Sequence, residues 1–384
     1  MRERIIKPLI HPIKALSKSG KLGGLLLILA TFLSITLTNS SYGAQYLHFW
    51  HQEIGLPFLS MHVEHWVNDL LMAVFFFLVG MEIKREVMTG ELSTLKKALL
   101  PLFGALGGMA LPALLFFALN AHTENSHGWA IPTATDIAFS LGILSLLGNR
   151  VPLSLKVFLT ALAIIDDLGG ILIIALFYTQ KIHFEYLLAA LAVISVLYLL
   201  NRFKVKSFIW YCIPIAALWY CVYQSGVHAT IAGVLAALFI PIDRVERYEH
   251  ILHRPVNYCI LPIFALANTT ILLSSSAFLN IGSNLSMGIL LALVLGKPLG
   301  IFSFAFASIK TRICTLQEDI SLKQIFGVSI LAGIGFTMSL FFTALSFKHP
   351  ESANIARLSV ILGSCISAVC GLVFLFFSLG RRSS

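Results

Sequence analysis

The sequence predicts an all-α polytopic membrane protein, and composition and hydropathy patterning both indicate this class. Of the 384 residues, 58% are hydrophobic and 12% are charged, and the mean hydropathy is +0.87. Soluble domains carry about a quarter charged residues, so this chain could not cover a water-facing surface. Apolar runs such as GGLLLILATFLSITLT and LMAVFFFLVG recur along the chain. Each extends toward the roughly 20 apolar residues that span a bilayer.

Twelve apolar segments are expected to form membrane helices. The seventh and eighth are short enough for re-entrant segments, so ten spans are the alternative. The segments lie at about 22–38, 61–83, 98–120, 129–148, 153–178, 186–200, 208–223, 227–241, 256–273, 285–309, 324–347 and 354–379.

The basic residues lie in the short joins between these segments and predict the orientation. With a cytoplasmic N-terminus, 23 of them fall on the cytoplasmic side and 3 on the other, and Lys297 inside a helix completes the 27. This asymmetry follows the positive-inside rule and predicts that both termini are cytoplasmic. We therefore expect a cytoplasmic extension at 1–21, one transmembrane transport domain at 22–379 and a cytoplasmic tail at 380–384.

Several classes of protein are excluded by the same observations. The net charge of +9 would suggest nucleic-acid binding in a soluble protein, but membrane orientation accounts for it here. The six cysteines lie in or beside apolar stretches without paired metal spacing, so neither a disulfide framework nor a zinc site is indicated. The joins are too short for a receptor domain or an external catalytic domain. The chemistry must lie in the helices.

Five ionisable residues lie inside the predicted helices. Each costs at least roughly 2.5 kcal/mol at bilayer depth, so such residues mark function by default. Pairing that only stabilises helix packing is the alternative, and it applies most to Asp69, a structural or accessory candidate. The charges of four aspartates and one lysine do not cancel. The five are Asp69, Asp136, the adjacent Asp166 and Asp167 in LTALAIIDDLGG, and Lys297 in LVLGKPLGIF.

Adjacent carboxylates inside a membrane favour exchange chemistry. Burial and a neighbouring like charge both penalise the ionised form, so such a group can hold a proton or, when ionised, ligate a hard cation through oxygen. Competition of proton and cation for the same oxygens is sufficient for exchange transport. Neighbours on a helix point about 100° apart, so one of Asp166 and Asp167 can ligate while the other pairs with Lys297.

Two segments are predicted to be interrupted at mid-membrane depth. Broken helices place dipole ends and free carbonyls where an ion can use them, although glycine can also serve only close packing. The two segments are the middle helices of the trios at about 98–178 and 285–379, which run in opposite directions, as an inverted repeat requires. The interrupting residues are Pro132, Thr133 and Thr135 before Asp136, and Gly333, Gly335 and Thr337 in the second segment.

At these residues the chain resembles the NhaA-type sodium/proton antiporter family, over nearly its whole length. The resemblance rests on WVNDLLMAVFFFLVGMEIKRE, GWAIPTATDIAFSLG, FLTALAIIDDLGG, SGVHATIAGV, GKPLGI and GIGFTMS. It implies two discontinuous crossing helices in a bacterial inner-membrane protein that exports sodium or lithium in exchange for protons. It also implies electrogenic, pH-regulated transport for pH and sodium homeostasis, with no cofactor.

The resemblance also implies roles for the residues of the site. Asp167 would be the principal sodium ligand and proton carrier, and Asp166 would pair with Lys297 when no cation is bound. Asp136 and Thr135 would lie where the two broken helices cross. There Asp136 would compensate the positive helix ends and Lys297 the negative ends.

A pH-sensing region is implied at the cytoplasmic ends of two helices, although ordinary interfacial charges are the alternative reading. His228 matches a histidine linked to the pH response, yet a lone histidine at a helix start is often structural. The other residues implied in pH regulation are Glu82, Arg85 and Glu86 in the second segment, and Glu249, His250 and His253 before the ninth.

The family further implies an external hairpin between the first two segments that pairs protomers into a homodimer. The stretch SSYGAQYLHFWHQEIGLPF gives no clean turn signal for it. Two other classes stay open as alternatives. An intramembrane aspartyl protease would need its two aspartates on separate helices, and a sodium-coupled symporter would need a pocket for an organic substrate.

Overall fold

The computed structural model describes residues 21–57, 59–179, 181–274, 279–317 and 319–379. All but the last residue of the predicted N-terminal extension at 1–21, and the whole predicted tail at 380–384, lie outside the described residues. The domain boundaries predicted at these two ends therefore stay predictions.

Helices form most of the described chain, as expected where lipid offers the backbone no hydrogen-bond partner and each segment must satisfy its own polar groups. The first half contains α1 (Lys21–Thr38), α2 (Gly43–Trp50), β1 (Glu53–Leu56), β2 (Leu59–His62), α3 (Val63–Met88), α4 (Leu95–Asn120), α5 (Ile137–Leu144), α6 (Leu153–Phe177) and α7 (Phe184–Arg202). The second half contains α8 (Ile209–Gln224), α9 (Ile231–Leu238), α10 (Ile242–Pro255), α11 (Leu261–Asn268), α12 (Asn284–Lys310), α13 (Leu322–Ala332), α14 (Phe336–Ser346) and α15 (Pro350–Ser378).

The described helices include 6 that are long and apolar enough to cross a membrane, and up to 9 spans if each of three bent pairs counts as one. The bent pairs are α1 with α2, the two halves of the segment that contains α5, and α13 with α14. The shorter α8 and α9, and the continuous helical stretch from α10 to α11, occupy the remaining predicted segments. The predicted all-helical, polytopic architecture is confirmed at this level.

The outer helices expose apolar side chains, whereas the inner helices bury theirs. Leu188 and Leu191 on α7 are 68% and 59% exposed, while Met72 and Met81 on α3 are fully buried. An outer surface of this kind is stable in lipid and unfavourable in water. The exposed faces therefore indicate the surface that meets the bilayer.

Glycine brings α4 and α12 into direct backbone contact. A Cβ atom added at Gly107 would lie 2.1 Å from the Gly300 carbonyl oxygen, and one added at Gly300 would lie 2.1 Å from the Gly107 carbonyl oxygen. No side chain fits at either position, so the two helices approach as closely as small-residue interfaces in membranes permit. This contact sets the position of Lys297, which lies one turn before Gly300 on α12.

An antiparallel hairpin connects the first two membrane segments. β1 pairs with β2 in a register that places Glu53 opposite His62 and Leu56 opposite Leu59. The indole Nε1 of Trp66, in the first turns of α3, donates to the Ile54 carbonyl oxygen at 2.7 Å and holds the hairpin against the helix. The hairpin implied by the resemblance is therefore present, although the sequence carries no strong turn signal.

Candidate functional site

Two broken helices cross one another beside α6. In the first, the 3-10 segment Glu124–Thr133 is followed by α5 at a bend of 43°, and in the second α13 is followed by α14 at a bend of 44°. The breaks follow Pro132 and include Gly333 and Gly335. A Cβ atom added at Gly333 would lie 2.5 Å from the Leu293 backbone carbonyl oxygen, so the second break leaves no room for a side chain there.

Hydrogen bonds between the two breaks fix the crossing. The backbone N–H of Asp136 donates to the Ile334 carbonyl oxygen at 2.7 Å. The Thr135 hydroxyl donates to the Ala332 carbonyl oxygen at 3.0 Å. Carbonyls freed by one helix break thus find donors on the other broken helix, which lowers the cost of interrupting helices in an apolar surrounding.

The Asp136 carboxylate caps the N-termini of both half-helices. Its Oδ1 accepts from the backbone N–H of Phe139 in α5 at 2.9 Å. Its Oδ2 accepts from the backbone N–H of Thr337 at 3.1 Å and from the Thr337 hydroxyl at 2.5 Å, at the start of α14. A carboxylate at a helix N-terminus both pairs free N–H groups and compensates the positive dipole end. One buried side chain serves two helix ends here.

Asp166 is held by a lysine and a hydroxyl. Lys297 Nζ lies 2.7 Å from Asp166 Oδ2, and the Thr135 hydroxyl donates to the same oxygen at 2.6 Å. Both side chains of the ion pair are fully buried. The other oxygen, Asp166 Oδ1, is buried without a hydrogen-bond partner among the described residues. An unpaired buried oxygen is costly, and it is available to a cation.

Lys297 also contacts a helix end. A π-helical turn, Ala292–Gly296, precedes it within α12, and such turns often lie at functional sites. Its Nζ donates to the carbonyl oxygen of Thr133, the last residue of the 3-10 segment before the break. A cation at the carbonyl end of a helix compensates the negative dipole end. Lys297 and Asp136 thus occupy the two kinds of helix end at the crossing.

Asp167 follows Asp166 on α6 but takes no part in the hydrogen bonds that Asp166 makes with Lys297 and Thr135. Its side chain is buried, and no hydrogen bond to its carboxylate is formed within the described ranges. It interacts electrostatically with Asp166, Asp136, Glu82 and Lys297. Both of its oxygens are therefore free to take a proton or a cation.

The candidate oxygens for a cation are the Asp167 carboxylate, Asp166 Oδ1, which has no hydrogen-bond partner among the described residues, and the Thr135 hydroxyl. Carboxylate and hydroxyl oxygens suit hard cations. In the part of the chain that the structure describes, no group of three or more His, Cys, Asp or Glu side chains could hold a metal ion. A site with few charged ligands suits an ion that must leave again. Transport requires that the ion bind strongly enough to enter the site and weakly enough to be released from it.

A cavity of about 680 Å³ reaches one side of the crossing. It runs along α5, where Ala138 and Leu141 line it, and along the ends of α3 and α10. Glu82 lines the cavity and also interacts electrostatically with Asp167 of the candidate site. Five of the six residues of α3 and α10 implied in pH regulation line it: Glu82, Arg85, Glu249, His250 and His253.

Ion pairs connect two of the helices that line the cavity. Arg85 contacts Glu86 at 3.0 Å and Glu249 at 3.3 Å, and so connects α3 to α10. Burial raises the pKa of the Glu249 carboxyl, although the Arg85 guanidinium opposes this shift. Burial and the neighbouring His250 lower the pKa of His253. These groups therefore bind protons at pH values that differ from those of exposed side chains.

His228 and Asp69 form a separate pair. His228 Nε2 lies 3.5 Å from Asp69 Oδ1, and His228 Nδ1 is 2.9 Å from the Thr230 hydroxyl. Asp69 and Glu82 are 13 residues apart on α3, or about 20 Å along the helix. The structure thus brings Glu82, Arg85, Glu86, Glu249, His250 and His253 together and places His228 elsewhere.

Two residues that support the site were not predicted from the sequence. The Ser364 hydroxyl on α15 accepts from the backbone N–H of Phe336 at 3.1 Å and holds the first turn of α14. Gly107, which sets the approach of α12, was also missed. The spacing of small residues in GALGGMA is a signal for close helix packing. A lone serine in an apolar helix carries no comparable signal.

The chain is similar to known proteins over most of its length. The family model described as Na+/H+ antiporter 1 matches residues 14–375. The chain is 48% identical over 372 residues to a protein of Flavobacterium psychrophilum named Na(+)/H(+) antiporter NhaA, covering 95% of each chain. It is 48% identical to a protein of that name from Dechloromonas aromatica, covering 94% of each chain. A third such protein, from Vibrio parahaemolyticus, is 46% identical, covering 95% of this chain and 97% of the relative. The chain belongs to the Na+/H+ antiporter 1 family.

Proposed function

We propose that this chain exports sodium or lithium in exchange for protons. The observation that carries the proposal is the buried Asp167 carboxylate, which makes no hydrogen bond to the described residues and adjoins an aspartate held by Lys297 and Thr135. The names of the relatives, which are Na(+)/H(+) antiporters, support the two exchanged ions. The chain is accordingly a secondary transporter and not an enzyme, and it needs no cofactor.

Exchange follows from competition at shared oxygens. A sodium ion that enters from the cavity reaches Asp167 and displaces its proton. The ion also attracts Asp166 Oδ1, which has no hydrogen-bond partner among the described residues, and so weakens the pairing of Asp166 with Lys297. When a proton returns to Asp167 on the other side, the ion leaves and the Asp166–Lys297 pair forms again. Asp136 and Thr337 keep the half-helix ends in place throughout.

Electrogenic exchange needs more than one proton for each sodium ion. Two ionisable groups meet the ion: Asp167, and Asp166 through its partner Lys297. A cycle in which Asp167 and Lys297 each release one proton as one sodium ion binds would exchange two protons for one sodium ion and so move net charge. Lithium offers the same hard-cation chemistry to the same oxygens, which supports its transport beside sodium.

The proposed architecture has twelve spans in a bacterial inner membrane, with both termini cytoplasmic. The inverted repeats at about 98–178 and 285–379 each contain one broken helix, which supports the repeat. The hairpin of β1 and β2 lies outside the helices and offers strand edges to a second copy, which supports a homodimer.

Sodium-driven proton movement in everted membrane vesicles tests the proposal. Adding sodium, with no organic solute, is expected to collapse a preformed pH gradient in vesicles that contain the chain and not in matched empty vesicles. An organic solute that is required for ion movement would instead indicate a symporter. Membrane vesicles that cleave a peptide substrate and move no protons on sodium addition would indicate the protease class.

The pH response is predicted to combine competition at the site with a contribution from the cavity wall. Protons that occupy Asp167 raise the apparent sodium KM in acid, so exchange is expected to rise with pH. Because burial raises the pKa of Glu249 above its ordinary value of 4.5, acidification protonates it early and removes its charge from Arg85. Glu249→Gln mimics that protonated form. The pH of half-maximal exchange is expected to move toward alkaline pH by about 0.5 to 1 unit, with transport retained.

Exchange rates at several pH values over a wide sodium range provide the measurement. Asp243→Asn is the matched control, because Asp243 is an exposed carboxylate on the same helix. A profile of Glu249→Gln that coincides with this control contradicts the role of Glu249. A maximal velocity that falls in acid at saturating sodium would exclude pure competition and indicate a gate at the cavity wall.

A further inference from the structure

A half-buried ion pair joins two distant helices at the end of the molecule opposite the cavity. Arg357 Nη2 lies 2.9 Å from Glu64 Oε1, and their side chains are 13% and 19% exposed. Arg357 Nη1 donates to the Thr270 hydroxyl at 3.0 Å. Glu64 and the cavity-lining Glu82 are 18 residues apart on α3, or about 27 Å. The pair therefore lies at the predicted external side.

Two asparagines add to this contact. Asn354 on α15 accepts from the backbone N–H of Leu272 at 2.8 Å and donates to the carbonyl oxygen of the same residue at 3.0 Å. Asn39, just after α1, makes the corresponding contacts with Leu273 and Ile271, both at 2.8 Å. We call the set of Asn39, Glu64, Thr270, Asn354 and Arg357 the external clamp.

The external clamp connects two groups of helices. α15 packs against α12, α13 and α14, the group that contains Lys297 and one broken helix. α3 packs against α9 and α10, and α1 packs against α11. On the opposite side, the cavity lies between α3, α5 and α10. The external clamp thus joins the two groups of helices at the predicted external side, whereas the cavity lies at the predicted cytoplasmic side.

We propose that the external clamp is a lock that holds the external side closed and must break before the site opens outward. This inference rests on the proposed exchange, because an ion released on the other side requires the external side to open. Arg357 is one of only three lysine or arginine residues on the predicted external side, and removing one partner of a half-buried ion pair leaves the other charge partly desolvated and uncompensated. Separation of the pair returns both charges to water at the moment of opening, so the closed and open states are both accessible.

The experiment measures external accessibility at Ile271. This residue is fully buried and packs with Leu358 across the external clamp. In a chain whose six native cysteines are replaced by serine, Ile271→Cys is labelled by a membrane-impermeant maleimide added to intact cells. Glu64→Gln and Arg357→Met are each expected to raise the labelling rate at least about fivefold. Lys348→Met, which removes an exposed charge from the same side, is expected to leave the rate unchanged.

The swapped pair, Glu64→Arg with Arg357→Glu, is expected to restore slow labelling because it rebuilds the ion pair. Labelling that stays at the unmodified rate in both single variants overturns the proposal. Fast labelling that persists in the swapped pair also overturns it, since a packing defect would then be the cause. Exchange by the unmodified chain is measured in parallel. Its absence would contradict the proposed function, whereas unchanged labelling beside normal exchange would contradict the lock alone.

Discussion

Replacing Asp167 with asparagine is expected to reduce sodium/proton exchange to the background of vesicles without the protein, while membrane insertion and thermal stability stay normal. The amide keeps the shape of the side chain, but it can neither ionise nor release a proton. Because the described residues make no hydrogen bond to this carboxylate, the substitution breaks no bond within them. The loss would therefore fall on transport and not on the fold.

Exchange in everted vesicles and the melting temperature of the purified protein together measure this result. Asp69→Asn is the matched control, since it neutralises another aspartate of a predicted membrane segment, one that is half-buried and paired with His228. The control is expected to retain exchange. Exchange at the unmodified level in Asp167→Asn would remove Asp167 from the centre of the mechanism.

Lys297→Ala is expected to lower the free energy of unfolding by about 3–5 kcal/mol and to weaken exchange, because it leaves the buried Asp166 charge unpaired. The Thr133 carbonyl also loses its donor. Lys297→Arg retains the charge and is expected to recover part of both losses. Full recovery is not expected, because a guanidinium differs from an ammonium group in size and geometry.

Thermal unfolding of the purified variants provides the measurement. Lys310→Ala, at the exposed end of the same helix, is the control and should leave the melting temperature unchanged. In a double-mutant cycle, adding Asp166→Ala to Lys297→Ala should recover stability, because the unpaired charge is then gone. An unchanged melting temperature in Lys297→Ala would show that the proposed pairing is wrong.

Local patterns in the sequence predicted much of the molecule. Hydropathy marks the helices because each segment in lipid must satisfy its own backbone, a constraint that acts within about 20 consecutive residues. The predicted breaks at Pro132, Gly333 and Gly335 coincide with the observed ones, because proline and glycine act on their own backbone. Asp166, Asp167 and Lys297 stood out for a similar reason, since a charge in an apolar run is conspicuous wherever its partner lies.

The tertiary structure decided which groups meet. Adjacent aspartates point in different directions, and geometry alone left open which one pairs with Lys297; the crossing helices bring Asp166 to it and leave Asp167 free. Arg357 and Glu64 are 293 residues apart, and nothing near either residue announces the other. The sequence by itself determined where helices form, where they break and which residues carry charge, because those are short-range properties. Partner choice depended on the packing of distant helices, since electrostatic and hydrogen-bond contacts need atoms within a few ångströms, whatever their separation along the chain.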